Sequence, residues 1–260
     1  MRVCPLVILC LLILSNTLFS CKKSEGLGTA PLPSLSYGDS VFYLKDQSAD
    51  YIVYPTVSKT GIYTSFPDGL ELDKNTGAIN ISKSESGLRY RITFRSGNGD
   101  TSFAGVVISG IDYPDKYYYL SQADTLALPV YNADLHKSIP PGIFDEGKLA
   151  STSGCSIATD NGRINIIQSI RNGLFGSVPK NNTRKDIEVK YRLEDKSGKA
   201  LNDIKVLLYY YDTKNDVSAD LLQTVQDHQA ILQASTTGVL SSISSLNTRP
   251  RPPCIVIIGH

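Results

Sequence analysis

The sequence predicts an all-β chain made of two tandem antiparallel β-sandwiches, followed by a short C-terminal helical extension. Three observations predict this fold. Short β-prone runs recur roughly every ten residues, as they do in sandwiches, and clusters of turn-forming residues separate them. One phrase also occurs twice, at a fixed offset of 85 residues. An internal repeat of this length indicates that the chain uses one structural plan twice.

The repeated phrase is GLELDKNTGAINISKS at residues 69–84 and GCSIATDNGRINIIQS at residues 154–169. The register continues without a gap back to residue 39, and we assign the first sandwich to residues 37–114 and the second to residues 115–212. Six of the sixteen positions of the phrase are identical: Gly69/Gly154, Gly77/Gly162, Ile79/Ile164, Asn80/Asn165, Ile81/Ile166 and Ser84/Ser169.

The first copy alternates apolar and polar side chains, which is the pattern of half-buried strands. Leu70 and Leu72 share one face of the first run, and Ile79 and Ile81 share one face of the second. Gly77 falls in the tight connection between the runs, where a positive φ carries no Cβ penalty. The sequence therefore predicts two strands joined by a tight turn, and the second copy repeats them.

The second copy closes with two strands on either side of the turn DKSG, the counterpart of SGNG in the first copy. At this point the offset between the copies has grown to about 99 residues, so the second copy carries an insertion near residues 172–186. Loops inserted on a rigid sandwich are common places for binding function. They are equally often neutral, and the sequence leaves both readings open.

The C-terminal residues 213–260 change character. Apolar residues at helical spacing in DVSADLLQTVQDHQAILQAS, with Ser218 or Asp216 as N-cap, predict one amphipathic helix. The Pro-rich stretch RPRPP excludes a helix. The apolar terminus CIVII then predicts an edge strand, added to a sandwich of the same chain in preference to a partner's sheet.

The stretch FPDGLELDKNTGAINISKSESGLRYRITF resembles the Ig-like and cadherin-like repeats of bacterial surface proteins. The resemblance implies an Ig-like sandwich used as a spacer, stalk or interaction module. The second copy departs from the pattern, because Ala158 stands in place of Asp73. The acidic calcium motifs of the family do not occur in the sequence, so no metal or other cofactor is expected. Asp112 and Asp115, in GIDYPDKYY, are interpreted as part of a polar linker.

The N-terminus carries an export signal. The apolar run Val3–Leu14 is shorter than the roughly 20 residues that a membrane span needs, and it fits a signal peptide. LFSC at residues 18–21 resembles the bacterial lipobox, in which the cysteine is acylated and becomes the first mature residue. The resemblance implies a lipoprotein signal peptide over residues 1–20 and lipid attachment, including palmitate, at Cys21. An ordinary secretory signal with a chance cysteine is the alternative.

Residues 21–36 form a Gly-, Pro- and Ser-rich stretch that predicts a flexible tether. Several acyl chains make a stable membrane anchor without a transmembrane span. In lipoproteins of this kind, an Asp after the cysteine favours retention in the inner membrane, and here the residue is Lys22. We therefore expect the bacterial outer membrane, on its periplasmic face or at the cell surface, and a protein or polysaccharide partner of unknown identity.

Charge and cysteine content exclude several classes of function. Without the signal peptide the formal net charge is zero, so no global field favours nucleic acid. Two cysteines, Cys155 and Cys254, remain after Cys21, and their spacing is no metal motif. Cys155 takes the place of Leu70 in the repeat, so we interpret it as a small buried hydrophobe in preference to half of a disulfide.

The sequence offers no recognisable catalytic motif. The three histidines are His136, His228 and His260, and no nucleophile elbow, P-loop, HExxH or CxxC motif is present. We therefore predict an interaction, adhesion or scaffold module and not an enzyme. The alternative is a glycan-binding lipoprotein of a polysaccharide-capture system, supported by fifteen tyrosines but weakened by the absence of tryptophan.

Overall fold

The computed structural model describes residues 34–240 and 249–260. In these residues the regular structure is fifteen strands, two short 3-10 turns and three α-helices, so the chain is mainly β as predicted. The predicted signal peptide, the acylation site Cys21 and the tether up to residue 33 lie outside the described residues.

The first half of the described chain, residues 34–110, is built on a four-stranded sheet of order β1-β6-β5-β3 and a small two-stranded sheet of β2 and β4. The predicted alternation in LRYRITF places every second side chain of β5 in the core. The strands are β1 (Val41–Phe42), β2 (Ile52–Val53), β3 (Gly61–Phe66), β4 (Ile79–Asn80), β5 (Leu88–Ser96) and β6 (Thr101–Ile108).

The second half, residues 111–260, is built on a five-stranded sheet of order β11-β13-β14-β15-β8, with two small sheets, β7 with β10 and β9 with β12. Its strands are β7 (Ile111–Asp112), β8 (Lys116–Tyr119), β9 (Leu126–Ala127), β10 (Val130–Tyr131), β11 (Gly142–Phe144), β12 (Ile164–Asn165), β13 (Thr183–Leu193), β14 (Asn202–Tyr211) and β15 (Cys254–Ile258). Its helices are α1 (Leu149–Thr152), α2 (Ile166–Arg171) and α3 (Ala219–Thr237).

The repeated phrase folds into the same local structure in both halves. The turn glycines Gly77 and Gly162 have φ angles of 73° and 71°, in the left-handed region. Isolated bridges join Leu72 to Ile79 and Ile157 to Ile164, at equivalent positions. Because neither glycine has a Cβ, an aromatic side chain packs directly against each turn.

The hydrogen bonds of the shared serine explain why the repeat has a serine at this position in both copies. Ser84 donates to the carbonyl of Asn80 at 2.7 Å and accepts from a backbone N–H at 3.0 Å. Ser169 donates to the carbonyl of Asn165 at 2.7 Å and likewise accepts at 2.8 Å. Each serine thus satisfies partly buried backbone groups where the strand ends, and backbone groups removed from water require such partners.

The predicted strand GAINIS is shorter than the alternation indicates. β4 ends at Asn80, and a 3-10 turn follows over Ile81–Lys83. In the second copy α2 begins at Ile166, because the side chain of Asn165 caps it by accepting from the N–H of Gln168 at 3.0 Å. Ile81 and Ile166 are still fully buried, and burial of these side chains is what the alternating pattern indicates.

The predicted purely antiparallel arrangement is wrong at two places. β1 pairs in parallel with β6, and β15 pairs in parallel with both β14 and β8. The prediction of an edge strand at the C-terminus is also wrong, since β15 lies inside the five-stranded sheet. All five of its residues are buried, and a continuous apolar run is the pattern of a strand covered on both faces.

Helix α3 lies across both halves of the molecule. Ser218 caps it, as predicted, by accepting from the N–H of Leu221 at 3.3 Å. Leu221 and Val225 of its first turns, with Val217 just before the helix, pack on the five-stranded sheet. Its last turns place Ile231 and Ala234 in a cluster with Phe66 of the first half. Because 19 residues of α-helix extend about 28 Å, one helix reaches both halves.

The two cysteines of the described residues are free thiols, so they form no disulfide. Cys155 is 1% exposed and packs in the main core of the second half, as its place in the repeat predicts. Cys254 begins β15 and packs in the separate cluster beneath α3. Part of the insertion near residues 172–186 also joins the core, because Leu174 and Phe175 are buried there.

Candidate functional site at the junction of the two halves

The stretch GIDYPDKYY connects the two halves, and its two carboxyl groups are buried. Asp112 and Asp115 are only 7% and 5% exposed, so the interpretation of a solvated polar linker is wrong. A buried carboxylate is stable only when other groups compensate it. The compensating groups come from α3 and from residues 249–254, and both belong to the C-terminal extension.

Asp115 binds three segments of the chain together. Its Oδ1 lies 2.9 Å from Nδ1 of His228 on α3. The same oxygen accepts a hydrogen bond of 2.7 Å from the backbone N–H of Cys254, at the start of β15. The side chain of Gln229 donates to the carbonyl of Asp115 at 2.7 Å. One residue of the connection therefore holds both the helix and the last strand.

The hydrogen bonds of His228 fix its tautomer. Nε2 lies 3.0 Å from the carbonyl oxygen of Arg249, which only accepts, so Nε2 carries a hydrogen and donates it. Burial lowers the pKa of His228, but the hydrogen bond and charge of Asp115 outweigh burial and raise the pKa above its ordinary value. Burial raises the pKa of Asp115, and His228 offsets part of that rise. Together the two groups retain a proton between them.

Arg251 accompanies the second buried carboxyl group. Its guanidinium Nε lies 3.8 Å from Oδ1 of Asp112, with both side chains less than one tenth exposed. Arg251 also donates to the carbonyl of Ile111. Burial raises the pKa of Asp112 to about 7, against the opposing effect of Arg251. The junction thus contains two carboxyl groups faced by a histidine and an arginine.

The thiol of Cys254 completes this cluster. Its Sγ, a ring nitrogen of His228 and a carboxylate oxygen of Asp115 all lie within 4.8 Å of one another, and all three residues are buried. Asp115 comes from the connection, His228 from α3 and Cys254 from β15. We call these three residues the junction triad.

Sequence reasoning missed the triad because its members are 113 and 139 residues apart. One local signal was available for His228. It lies three residues after Val225 and three before Ile231, which places it on the buried face of α3. A histidine on the apolar face of a helix requires a polar partner, and Asp115 is that partner.

An open groove of about 570 Å³ lies over the junction. Glu85 crosses it and forms an ion pair with Arg249, with Oε1 2.7 Å from Nη2. The other oxygen of Glu85 is buried without a hydrogen-bond partner. Further polar side chains that line the groove are Ser82, Lys83, Asn202 and Lys205.

The tyrosine clusters that favour glycan binding lie in the five-stranded sheet and not at this groove. Tyr117 and Tyr119 on β8, with Tyr209 and Tyr211 on β14, pack in the cluster beneath α3. On the opposite face, Tyr118 and Tyr210 join the main core of the second half. These tyrosines are therefore used for packing, which is the interpretation that the sequence favoured.

The geometry of the triad suits a structural role, in which it holds the connection, α3 and β15 together. Asp115 and His228 are each 5% exposed, and both ring nitrogens of His228 are within hydrogen-bonding distance of a partner. Burial and Asp115 raise the pKa of the Cys254 thiol, which keeps it protonated at neutral pH. A buried, protonated thiol is a poor nucleophile.

None of the helices in the described part of the chain is long and apolar enough to cross a membrane. No protein-family model and no curated protein matches the sequence. Among solved structures, EC1-4 of Drosophila N-cadherin is similar with a TM-score of 0.22 and 10% identity, covering 68% of this chain and 48% of that one. The Bacteroides ovatus protein SGBP-B of a mixed-linkage glucan utilization locus, in complex with a mixed-linkage heptasaccharide, is similar with a TM-score of 0.20 and 9% identity.

That second match covers 67% of this chain and 44% of the Bacteroides chain, so this chain spans less than half the length of either neighbour. At TM-scores this low, neither structure assigns a function to this chain.

Proposed function

We propose that this chain is a lipid-anchored, non-catalytic interaction module of the bacterial cell envelope, acting in adhesion, scaffolding or spacing. In this proposal residues 37–114 and 115–212 are two tandem Ig-like sandwiches, and residues 213–260 brace them. Cys21 carries the lipid and the outer membrane is the site of action. The tether ends before residue 36, where the sequence predicted its end, because Leu35 is buried in the core of the first half.

The observation that carries the proposal is the bracing of the junction by the C-terminal extension. α3 packs on the five-stranded sheet of the second half and on Phe66 of the first half, and β15 lies inside the second sheet. Between them, Asp115 is bound by His228 and by the N–H of Cys254. A brace of this kind opposes bending between the halves, whereas short interdomain contacts commonly permit it. A stiff module is suited to holding a surface at a set distance from a membrane.

The anchor is tested by cell fractionation of the full chain in a Gram-negative bacterial host. We expect wild-type protein in the membrane fraction, with incorporation of labelled palmitate, and Cys21→Ala protein in the soluble fraction without label. Cys155→Ala is the matched control, because Cys155 is a buried cysteine of the folded part. Membrane association and labelling unchanged in Cys21→Ala would refute the anchor.

The bracing is tested by small-angle X-ray scattering. If α3 and β15 hold the junction stiff, wild-type protein gives one narrow distribution of dimensions. His228→Ala combined with Phe66→Ala removes the imidazole from Asp115 and the ring that packs on α3 in the first half, and we expect it to broaden that distribution. An equally narrow distribution in the double variant, or a broad one in wild type, would contradict the spacer function.

Binding of a glycan is the second candidate function, and the polar groove over the junction favours it. Polar and charged side chains such as Asn202, Lys205 and Arg249 line a volume of about 570 Å³, within the range of ligand sites. The expected test is a glycan array with wild-type protein. Tight binding to one polysaccharide that is lost in Asn202→Ala and kept in the exposed-site control Lys148→Ala would replace the spacer function with glycan capture.

A further inference from the structure

The junction triad combines the three kinds of ligand that zinc prefers. Zn²⁺ in proteins is bound by cysteine sulfur, histidine nitrogen and carboxylate oxygen, mostly with tetrahedral geometry. Cys254, His228 and Asp115 present one of each, within 4.8 Å of one another and buried. A thiolate with an imidazole also disfavours Ca²⁺ and Mg²⁺, which take oxygen ligands. We propose that the junction triad is a zinc site.

The orientation of His228 fits this role. Its Nε2–H donates to the carbonyl of Arg249 at 3.0 Å, which leaves Nδ1 directed toward Asp115. Metal-binding histidines characteristically donate their other ring N–H to a carbonyl or carboxylate, which fixes the tautomer and the ring. In this chain that outer hydrogen bond is already in place.

The ligand set also balances the charge of a divalent cation. The carboxylate of Asp115 and the thiolate of Cys254 together carry a charge of −2, and the imidazole of His228 is neutral. A bound Zn²⁺ would therefore leave no uncompensated charge in the interior, where such a charge is costly.

With three protein ligands, the fourth position would be open to water. A cavity of about 10 Å³ borders Asp112, Asp115 and His228, and such a volume has room for one water molecule. The bound ion would join the connection, α3 and β15 through metal bonds, at the place where hydrogen bonds already join them. The inference goes beyond the proposed function and depends neither on the lipid anchor nor on a glycan ligand.

The test is titration of the full chain with Co²⁺, which replaces Zn²⁺ and is visible in absorption spectra. We expect one equivalent to bind with the visible bands of tetrahedral cobalt and a near-ultraviolet thiolate-to-cobalt band, and one equivalent of Zn²⁺ to displace it. Because the site is buried, the titration is done on native protein and repeated on protein refolded with Co²⁺. Wild-type protein without these bands under both conditions overturns the proposal.

Variants separate the triad from other thiols. Cys254→Ser should lose the equivalent of cobalt that shows the thiolate band, while Cys155→Ser, which changes the other buried cysteine, should keep it. Asp115→Asn, which leaves the thiol in place, should weaken Co²⁺ binding more than about tenfold, since even the loss of an outer partner costs about 10- to 100-fold. A thiolate band that persists in Cys254→Ser, or an unchanged affinity in Asp115→Asn, overturns the assignment.

Discussion

His228, in the middle of α3, meets Asp115, in the connection between the halves, at 2.9 Å between Nδ1 and Oδ1, with both side chains 5% exposed. Removing one partner of a buried pair leaves the other uncompensated and costs about 3–5 kcal/mol. We therefore expect His228→Ala to lower the free energy of unfolding by about that amount, measured by urea denaturation with a metal chelator present.

The control for this prediction is His136→Ala, because His136 is exposed. A surface substitution of this kind should change the free energy of unfolding by no more than about 0.5 kcal/mol. Asp115→Asn combined with His228→Ala should cost less than the sum of the two single changes, because the contact is lost only once. Strictly additive costs would mean that the two residues act independently.

Asp112 predicts a dependence of stability on pH. Burial raises its pKa from 3.8 to about 7, so the folded chain holds this proton more tightly than the unfolded chain. Its contribution to stability is complete below pH 3.8 and is lost as the pH rises through about 7. We expect the free energy of unfolding to fall from about pH 5 to about pH 8 more steeply in wild type than in Asp112→Asn.

A chelator in the buffer excludes metal binding from this comparison. Asp115, His228 and Arg251 are present in both proteins, so the difference between their curves of stability against pH reports the titration of Asp112. Identical slopes for wild type and Asp112→Asn would show that this carboxyl group does not titrate in that range.

Ser84 and Ser169, the two serines of the repeat, should contribute equally to the stability of the protein. Ser84→Ala and Ser169→Ala each remove the acceptor of a partly buried backbone N–H, that of Glu71 or of Ser156. We expect each change to lower the free energy of unfolding by about 0.5–1.5 kcal/mol, measured by denaturant unfolding. Ser177→Ala, at an exposed serine, is the control. A neutral effect at only one of the pair would mean that the copies do not share this role.

Replacing Gly162, the glycine of the second turn, by alanine should destabilise the protein more than the same change at Gly198, a surface glycine of similar backbone conformation. Gly162 and Gly198 have φ angles of 71° and 65°, so alanine at either costs about 1–2 kcal/mol of left-handed strain. A Cβ on Gly162 meets the ring of Phe144 at 2.6 Å, whereas a Cβ on Gly198 meets nothing within 4 Å. We expect Gly162→Ala to cost about 1–3 kcal/mol more than Gly198→Ala in thermal unfolding. Equal costs would exclude the steric contribution.

The contact of α3 with the first half is measurable as a coupling energy. Ile231 is 2% exposed and shares a cluster with Phe66, which belongs to β3. In a double-mutant cycle of Phe66→Ala and Ile231→Ala, we expect a coupling of about 0.5–3 kcal/mol. The same cycle with Val178→Ala, at a 74% exposed residue, should give none. A coupling near zero for the first pair would mean that α3 does not brace the halves.

Much of the local structure follows from short-range patterns. Alternation of apolar and polar residues predicts β5, and the repeated glycines predict the tight turns at Gly77 and Gly162. The N-cap prediction at Ser218 is also confirmed. The same patterns failed at the ends of β4 and β12: Ser84 binds the backbone where β4 ends, and Asn165 caps α2 where β12 ends. Such competition between side chain and backbone is local, but hydrophobic period alone does not show it.

The sequence by itself determined the β-rich class, the duplicated hairpin, the amphipathic helix and the apolar last strand. Each of these depends on neighbours within a few positions, whose side chains must share one face. Only the tertiary structure decided that β15 enters the sheet between β14 and β8, and that Asp115, His228 and Cys254 meet. The contacts of Asp115 bridge 113 and 139 residues, and they form because buried polar groups must find partners wherever the packed surfaces bring them.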